Sequence, residues 1–196
     1  MDAPISRATK SDVPKILELS NWAADKLAAN FATEPESLAH WTEAFEQTSA
    51  MHPWLVAKQG EELLGFAKAS PHRSRGAYAW MAEVSVYVRS DLHRQRLGTR
   101  LYERLIPLMR EQGYVTLLAG IATPNPASER LHAAFGFTRC GTFHRAGWKF
   151  GRWHDVGYWE LHLQAGDGAP RTLRPVDEVW DSVAPSESLQ QLTALK

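Results

Sequence analysis

The chain has 196 residues, a length that suits one compact domain, or one domain with a tail, able to bury a core without disulfides or metals. Its 22 lysines and arginines balance 22 aspartates and glutamates, so the overall charge argues against nucleic-acid and membrane partners, and any electropositive site has to be local. One cysteine excludes an internal disulfide framework and, with no apolar leader or membrane span visible, leads us to expect a cytoplasmic protein.

Apolar periodicity and turn residues predict a succession of strands and helices. In chain order these are a strand at 4–9, a helix ending near 29, a helix at 35–47, strands at 54–58, 63–69 and 78–88, a helix at 98–112, a strand at 115–121, a helix at 125–135, and strands at 137–149 and 154–163. Ser11 and Asp12 can cap the first helix. Pro107 is expected to kink the third.

This order of elements predicts a mixed α/β domain over residues 1–164. After about residue 165 the content of glycine, proline, serine and charge rises, and apolar residues such as Leu192 and Leu195 are too few for a core. We therefore expect residues 165–196 to form a loosely packed tail, with docking against a second subunit as the alternative.

Several functional classes lack their sequence signatures. The chain has no glycine-rich dinucleotide motif, no phosphate-binding P-loop and no nucleophile elbow of a hydrolase. Its eight histidines are scattered without metal-ligand spacing, so no metal site is expected. No repeat of 20–50 residues is visible either, which argues against solenoids and propellers.

The most informative feature is the run EVSVYV at residues 83–88, followed by a basic loop and a helix that begins near Gly98. The run predicts a strand carrying one carboxylate, Glu83. The loop and first helical turn carry His93, Arg94, Arg96 and Arg100, so a possible general base lies just before a possible anion-binding helix start. This pattern indicates a transferase with a phosphate-bearing cofactor.

Further motifs carry a resemblance to a known family. The strand, loop and helix, followed by NPASERLHAAFGF at 125–137, resemble the GCN5-related N-acetyltransferase (GNAT) superfamily. NFATEP at 30–35, PWLVA at 53–57, EVSVYV at 83–88, GWK at 147–149 and WHDVG at 153–157 resemble its phosphinothricin and methionine-sulfone acetyltransferase branch. The similarity covers about residues 5–163.

The resemblance implies a mixed, mostly antiparallel central sheet flanked by helices, the GNAT fold. It also implies transfer of acetyl from acetyl-CoA to the α-amine of a small amino-acid analogue such as phosphinothricin, methionine sulfone or methionine sulfoximine, by direct attack. Such an enzyme would serve antibiotic or herbicide resistance and would form a homodimer. The alternatives are an acetyltransferase for another amine, such as a peptide N-terminus or polyamine, and a CoA-binding module that has lost catalysis.

By the same resemblance, Glu83 is the general base and His132 the candidate general acid for the departing thiolate. The expected cofactor contacts are the main chain of Val86, Tyr87 and Val88, the loop residues Arg94, Gln95, Arg96, Leu97, Gly98 and Thr99, and Asn125 and Ser128 on the following helix. The expected substrate contacts are Phe31, Arg73, Arg75, Val84 and Ser85, with an arginine pairing with the substrate carboxylate.

Some residues keep a purely structural alternative. The family's loop pattern places glycine at the positions of Arg96 and Gly98, and only Gly98 is retained. Arg96 can replace this glycine only if the position tolerates a side chain. Its guanidinium would compensate for the lost glycine if it paired with the cofactor's phosphates. Trp80, Trp148 and Trp153 are expected to pack in the core rather than line the pocket, Cys140 is expected to be a small buried residue, and Lys149 and Asp155 remain open.

Overall fold

The computed structural model describes residues 3–166 and 168–183. Its elements, in chain order, are β1 (Ile5–Arg7), α1 (Val13–Lys26), α2 (Leu38–Thr48), β2 (Trp54–Gln59), β3 (Glu62–Pro71), β4 (Met81–Val88), α3 (Leu97–Gln112), β5 (Thr116–Thr123), α4 (Pro126–Ala134), β6 (Thr138–Lys149), β7 (Arg152–His162) and α5 (Val176–Val179). Within this part of the chain, no helix is long and apolar enough to cross a membrane.

The seven strands form one sheet in the order β1-β2-β3-β4-β5-β7-β6. Every neighbouring pair is antiparallel except β4 and β5, which run parallel. The prediction of a mixed, mostly antiparallel sheet flanked by helices is confirmed.

The sheet separates two hydrophobic clusters. One face packs against α3 and α5, where buried Leu101, Leu105 and Val179 meet strand residues such as Val84. The other face packs against α1 and α2, where Ile16 and Trp41 meet residues such as Phe66. Because side chains alternate along a strand, Ala82 and Val84 of β4 face α3, while Glu83, Ser85 and Tyr87 face α1 and α2.

Local chemistry explains where the helices depart from their predicted bounds. The first helix ends at Lys26 because Leu27 has an extended backbone. The second begins at Leu38 rather than near Pro35, since the Ser37 side chain accepts the His40 N–H and caps the helix there. The third runs through Pro107 without ending.

The segment after the last strand packs more closely than its composition indicates. Val176 and Val179 are fully buried, and Val179 belongs to the hydrophobic cluster on the α3 face. The Arg104 guanidinium donates to the Trp180 carbonyl at 2.6 Å, and Gln112 Nε2 donates to the Arg174 carbonyl at 2.9 Å. A loosely packed tail therefore does not describe residues 171–183. Residues 184–196, including Leu192 and Leu195, lie outside the described residues.

Candidate active site

The two parallel strands at the centre of the sheet separate along their length. Strands β4 and β5 each have eight residues, yet they pair only at Met81–Thr116, Ala82–Leu117 and Glu83–Leu118. Beyond Glu83, β4 remains paired only with β3, up to Val88. The edge of β4 that faces β5 is therefore left with unpaired main-chain groups, which can bind an extended chain of amides. Glu83 lies at the apex of this cleft.

Glu83 has a partner that the sequence reading missed. Its Oε1 lies 2.8 Å from Nδ1 of His72, which follows the end of β3. The His72 side chain is only 15% exposed, whereas 47% of the Glu83 side chain is accessible. The carboxylate can thus reach a substrate from solvent while one of its oxygens is fixed from behind.

The contact of His72 with Arg73 decides which of its ring nitrogens donates to Glu83. The Nε–H of Arg73 donates to Nε2 of His72 at 3.3 Å, and a guanidinium has no acceptor. Nε2 is therefore the unprotonated nitrogen, so a neutral His72 carries its proton on Nδ1 and donates it to Glu83. The order Arg73, His72, Glu83 is a directed chain of hydrogen bonds that ends on the candidate base.

Arg73 lies in a cleft with a second arginine, Arg75. A small cleft of about 350 Å³ is lined by Arg73, Ser74, Arg75 and Tyr78. The Arg73 guanidinium carbon lies 5.5 Å from the centroid of the Tyr78 ring, whose edge also meets His72. The structure therefore brings the predicted Arg73 and Arg75 into one cleft, with the positive charge that a carboxylate would require. Arg73 is connected to Glu83 through His72.

The predicted anion-binding loop precedes α3. The N–H groups of Leu97, Gly98 and Thr99 occupy the first turn of this helix, where no carbonyl four residues earlier accepts them. Such groups favour phosphates. Gly98 is close to other elements, because an added Cβ would lie 3.4 Å from Leu131 and 3.8 Å from Val86. The start of α3 therefore lies within van der Waals distance of α4 and β4.

Arg96, at the position of the lost glycine, has a left-handed backbone with φ of 61°. An L-residue pays about 1 kcal/mol for this conformation and glycine does not. We expect Arg96→Gly to raise the free energy of unfolding by about 0.5–1 kcal/mol in chemical denaturation, and to raise the KM for acetyl-CoA because a cationic group is lost.

Arg145 provides the matched control. It also has a positive φ, 51°, but it lies in the irregular part of the β6–β7 hairpin. Arg145→Gly should increase stability in the same way without changing the KM for acetyl-CoA. A similar KM change in both variants would contradict a contact between Arg96 and the phosphates.

His132 is buried between α3 and α4, with 3% of its surface exposed. Nδ1 lies 2.8 Å from the Ser128 carbonyl, which can only accept, so Nδ1 carries the proton. Nε2 lies 3.0 Å from the hydroxyl of Tyr102, which donates to it. Burial lowers the pKa of His132 and raises that of Tyr102. Neither nitrogen is free to donate to a thiolate, so this geometry argues against His132 as the general acid.

The burial of His132 should make the free energy of unfolding depend on pH. His132 is neutral in the folded protein because its pKa is lowered from the ordinary 6.5. Below that value the unfolded chain binds the proton first, so the free energy of unfolding should fall as the pH drops from 6.5 towards 5. We expect His132→Phe, measured by denaturation between pH 5 and 7.5, to show a shallower dependence. His52, whose pKa is also lowered by burial, contributes equally in both proteins, and an unchanged slope would contradict the prediction.

Asn125 and Ser128 lie at the start of α4, on the β5 side of the cleft. Asn125 caps the helix, since its side-chain oxygen accepts the Ser128 N–H at 3.2 Å. Asn125 therefore has a structural role as a helix cap, and its amide nitrogen is still available as a donor. Both residues remain candidates for contacts with the cofactor's pantetheine arm.

Phe31 is positioned by Lys149 and Gly147. Lys149 donates to the carbonyls of Asn30 at 2.6 Å, of Ala32 at 2.8 Å and of Ala24. The Phe31 ring covers Gly147, where an added Cβ would lie 2.6 Å from the ring. Lys149 is therefore a structural clamp on the loop that carries Phe31, and its hydrogen bonds to three carbonyls explain why it is buried without an ion pair among the described residues.

Several predicted positions differ in the structure. Val84 is buried on the α3 face, so only its main chain could contact a substrate near Glu83. Trp148 and Trp153 are 56% and 53% exposed, and Cys140 is exposed as well, because they lie on the hairpin at the sheet edge. The prediction of core packing was wrong for these three residues. Trp80 is half-buried and donates to the Arg171 carbonyl at 2.7 Å.

Asp155 has a structural role in the same hairpin. Its two oxygens accept from His144 and from the Arg145 N–H, each at 2.8 Å, and the Arg145 N–H and then His144 lower its pKa. The carboxylate therefore fixes the irregular turn of β6 against β7.

Comparison with known proteins identifies the family of this chain. The model of the acetyltransferase (GNAT) family matches residues 16–137. This chain belongs to the GNAT family. As a GNAT enzyme it is an acetyl-CoA-dependent N-acetyltransferase, and the separated strands, the loop and α3 are the elements that this family model covers.

Individual relatives agree with this assignment. The GNAT chain is 38% identical to a phosphinothricin N-acetyltransferase of Streptomyces viridochromogenes, over 89% of this chain and 95% of that protein. It is 35% identical to an L-methionine sulfoximine/L-methionine sulfone acetyltransferase of Pseudomonas aeruginosa, over 87% and 100%. The crystal structure of a phosphinothricin acetyltransferase from Sinorhizobium meliloti in complex with acetyl-CoA superposes with a TM-score of 0.82 at 28% identity, covering 87% and 94%.

Proposed function

We propose that this GNAT enzyme acetylates the α-amine of a small amino-acid analogue of the phosphinothricin, methionine sulfone or methionine sulfoximine type. The observation that carries the proposal is the position of Glu83 at the apex of the β4–β5 cleft, beside the cleft of Arg73 and Arg75. A carboxylate and two guanidiniums suit the ammonium and carboxylate of a zwitterion. The relatives named above act on such compounds.

The described residues fit acetyl-CoA, which supplies the activated acetyl thioester. The edge of β4 from Val86 to Val88 that is not paired with β5 offers main-chain N–H and C=O groups to the pantetheine amides, with the Val88 carbonyl 3.2 Å from Nε2 of His93. The first turn of α3, with Gly98 and Thr99, offers N–H groups to the pyrophosphate. Arg94, Gln95 and Arg96 flank that turn, and Asn125 and Ser128 border the cleft on the β5 side.

These positions indicate which groups accept and supply protons during the reaction. Only a neutral amine attacks a thioester, so Glu83 accepts the ammonium proton directly or through water. Main-chain N–H groups of β4 stabilise the developing oxyanion. The new C–N bond forms as the C–S bond breaks, and solvent protonates the thiolate, because both nitrogens of His132 are occupied.

Two other functions are weaker candidates. A polyamine substrate would require an acidic pocket, whereas Arg73 and Arg75 make this one basic, and a peptide N-terminus would lack the free carboxylate that they suit. A CoA-binding module without catalysis is opposed by the oriented pair of Glu83 and His72, because mere binding requires neither.

We also propose that the enzyme is a cytoplasmic homodimer that inactivates a toxic amino-acid analogue. Support for the dimer comes from four exposed aromatic side chains at the edge hairpin, Phe143, Trp148, Phe150 and Trp153. Exposed apolar patches of this kind suit a protein interface. Sedimentation of the protein and of Trp148→Ser tests this: a dimer that weakens in the variant would support the proposal, and a monomeric wild type would refute it.

The decisive experiment measures CoA release from acetyl-CoA with a panel of amines. We expect turnover with phosphinothricin, methionine sulfone and methionine sulfoximine, and none with polyamines or short peptides. Thermal stabilisation by CoA without turnover of any amine would instead favour a binding module.

A further inference from the structure

Lys68 is a cation on the same sheet face as the candidate base. In the register of β3 against β4, Ser70 faces Glu83 and Lys68 faces Ser85. Directly opposed residues of antiparallel strands share a face. On β3, Lys68 lies two residues from Ser70, the residue opposite Glu83. Two residues span about 7 Å along a strand.

The surroundings of Lys68 are unusual for a lysine. Its Nζ lies 4.6 Å from the centroid of Trp41 and 4.7 Å from that of Trp54, so two indole rings hold the ammonium by cation–π contacts. Lys68 is half-buried, and among the described residues none of the ion pairs includes it. Burial lowers its pKa, and the attraction of the more distant Glu36 opposes this shift.

The position of Lys68 relative to Glu83, Arg73 and Arg75 decides which part of a bound amino acid it could contact. The amine of a bound amino acid would lie at Glu83 and its carboxylate at Arg73 and Arg75, all at one end of the face. A substrate side chain that extends along β4 past Ser85 would approach Lys68, which lies opposite Ser85. A group at the end of that side chain would meet an ammonium with no ion-pair partner of its own among the described residues.

We infer that Lys68 forms a second anion subsite, which binds an oxyanion at the end of the substrate's side chain and makes the enzyme prefer amino acids with a negatively charged side-chain group. This inference rests on the proposed acetylation of α-amino acids. An anion there makes a charge-assisted hydrogen bond with the ammonium, and the two indole rings limit the side-chain freedom that would have to be lost on binding. Lys68 is thus a specificity residue, distinct from the groups that hold the amine and the α-carboxylate.

Two substrates of the same shape test the inference. Phosphinothricin and methionine sulfone both carry a methyl-substituted tetrahedral group two methylenes from the α-carbon, but the phosphinate is anionic and the sulfone is neutral. Lys68→Met keeps most of the side-chain volume and removes the charge. We expect kcat/KM for phosphinothricin to fall roughly tenfold or more, mainly through KM, since this is the usual contribution of a hydrogen bond to a charged group. The value for methionine sulfone should change much less.

Control variants separate this effect from misfolding. Lys15→Met removes an exposed lysine that pairs with Glu61, and it should leave both substrates unaffected. Thermal stabilisation by acetyl-CoA should be equal in wild type and Lys68→Met, which reports an intact fold. Should Lys68→Met fail this check, Lys68→Gln, which retains a donor without the charge, takes its place with the same expected ratio.

The outcomes distinguish this inference from the proposed function. The role of Lys68 would be overturned if Lys68→Met lowered kcat/KM equally for both substrates, or for neither. It would also be overturned if the wild type acetylated methionine sulfone but not phosphinothricin. Each of these results would leave the acetyltransferase proposal standing. A wild type that acetylates no amino acid would overturn both.

Discussion

Glu83→Gln is expected to lower kcat/KM for an amino-acid substrate by about 100-fold or more at pH 7, the usual contribution of a general base. Glutamine has the shape of the carboxylate and its carbonyl oxygen can still accept from His72, so the variant removes the base without disturbing its surroundings. The loss should become smaller as the pH rises, because the neutral fraction of the amine increases about tenfold per pH unit below its pKa.

The controls for Glu83→Gln address binding and charge. Acetyl-CoA should stabilise the variant against heat as much as it stabilises the wild type, because the cofactor contacts proposed above involve other residues. Glu111→Gln, which removes an exposed carboxylate from α3, should have normal activity. A deficit that is the same at every pH would argue against proton removal by Glu83.

The fold could be predicted from the sequence where local signals decide it. The hairpin of β2 and β3 follows from two β-rich runs around Gly60, and the apolar run at 115–121 corresponds to β5 within a few residues. The burial of Val176 and Val179 could not be predicted, because two valines in a proline-rich and charged segment carry no periodic signal. Their burial depends on the surface that α3 offers them.

The candidate site was predictable only in its residue types. The motifs identify Glu83, Arg73 and Arg75. The structure places the two arginines in one cleft and connects Arg73 to Glu83 through His72. His72 and Lys68 were missed, since each gains its meaning from the register of β3 on β4 and from side chains of other elements. A lone histidine beside an arginine pair has no sequence signature. The same limit applies to His132, whose buried contact with Tyr102 joins two helices through residues that lie 30 positions apart in the chain.

The second large effect is expected for His72→Phe. Phenylalanine keeps a ring against Tyr78 but removes both nitrogens, so Glu83 loses its donor and can rotate away from the amine. Hydrogen bonds to charged groups contribute about 1.5–3 kcal/mol, so we expect kcat to fall by at least roughly tenfold. The KM for acetyl-CoA should not change, because the contact lies on the amine side of the cleft.

Two conservative variants divide the role of His72. The side-chain amide of His72→Asn lies where Nδ1 was and can still donate to Glu83, so it should restore most of kcat. His72→Gln reaches the position of Nε2 instead, where it can accept from Arg73 but cannot donate to Glu83, so it should not restore kcat. Equal activity in the two variants would indicate that the ring only fills space.

A double-mutant cycle tests whether His72 acts through Glu83. If its function is to orient the carboxylate, His72→Phe should cost little once Glu83 is already glutamine, and the two losses should be far from additive. Additive losses would mean that His72 acts on the substrate by another route. The coupling energy is obtained from the kcat/KM values of all four proteins with one amino-acid analogue in the same assay.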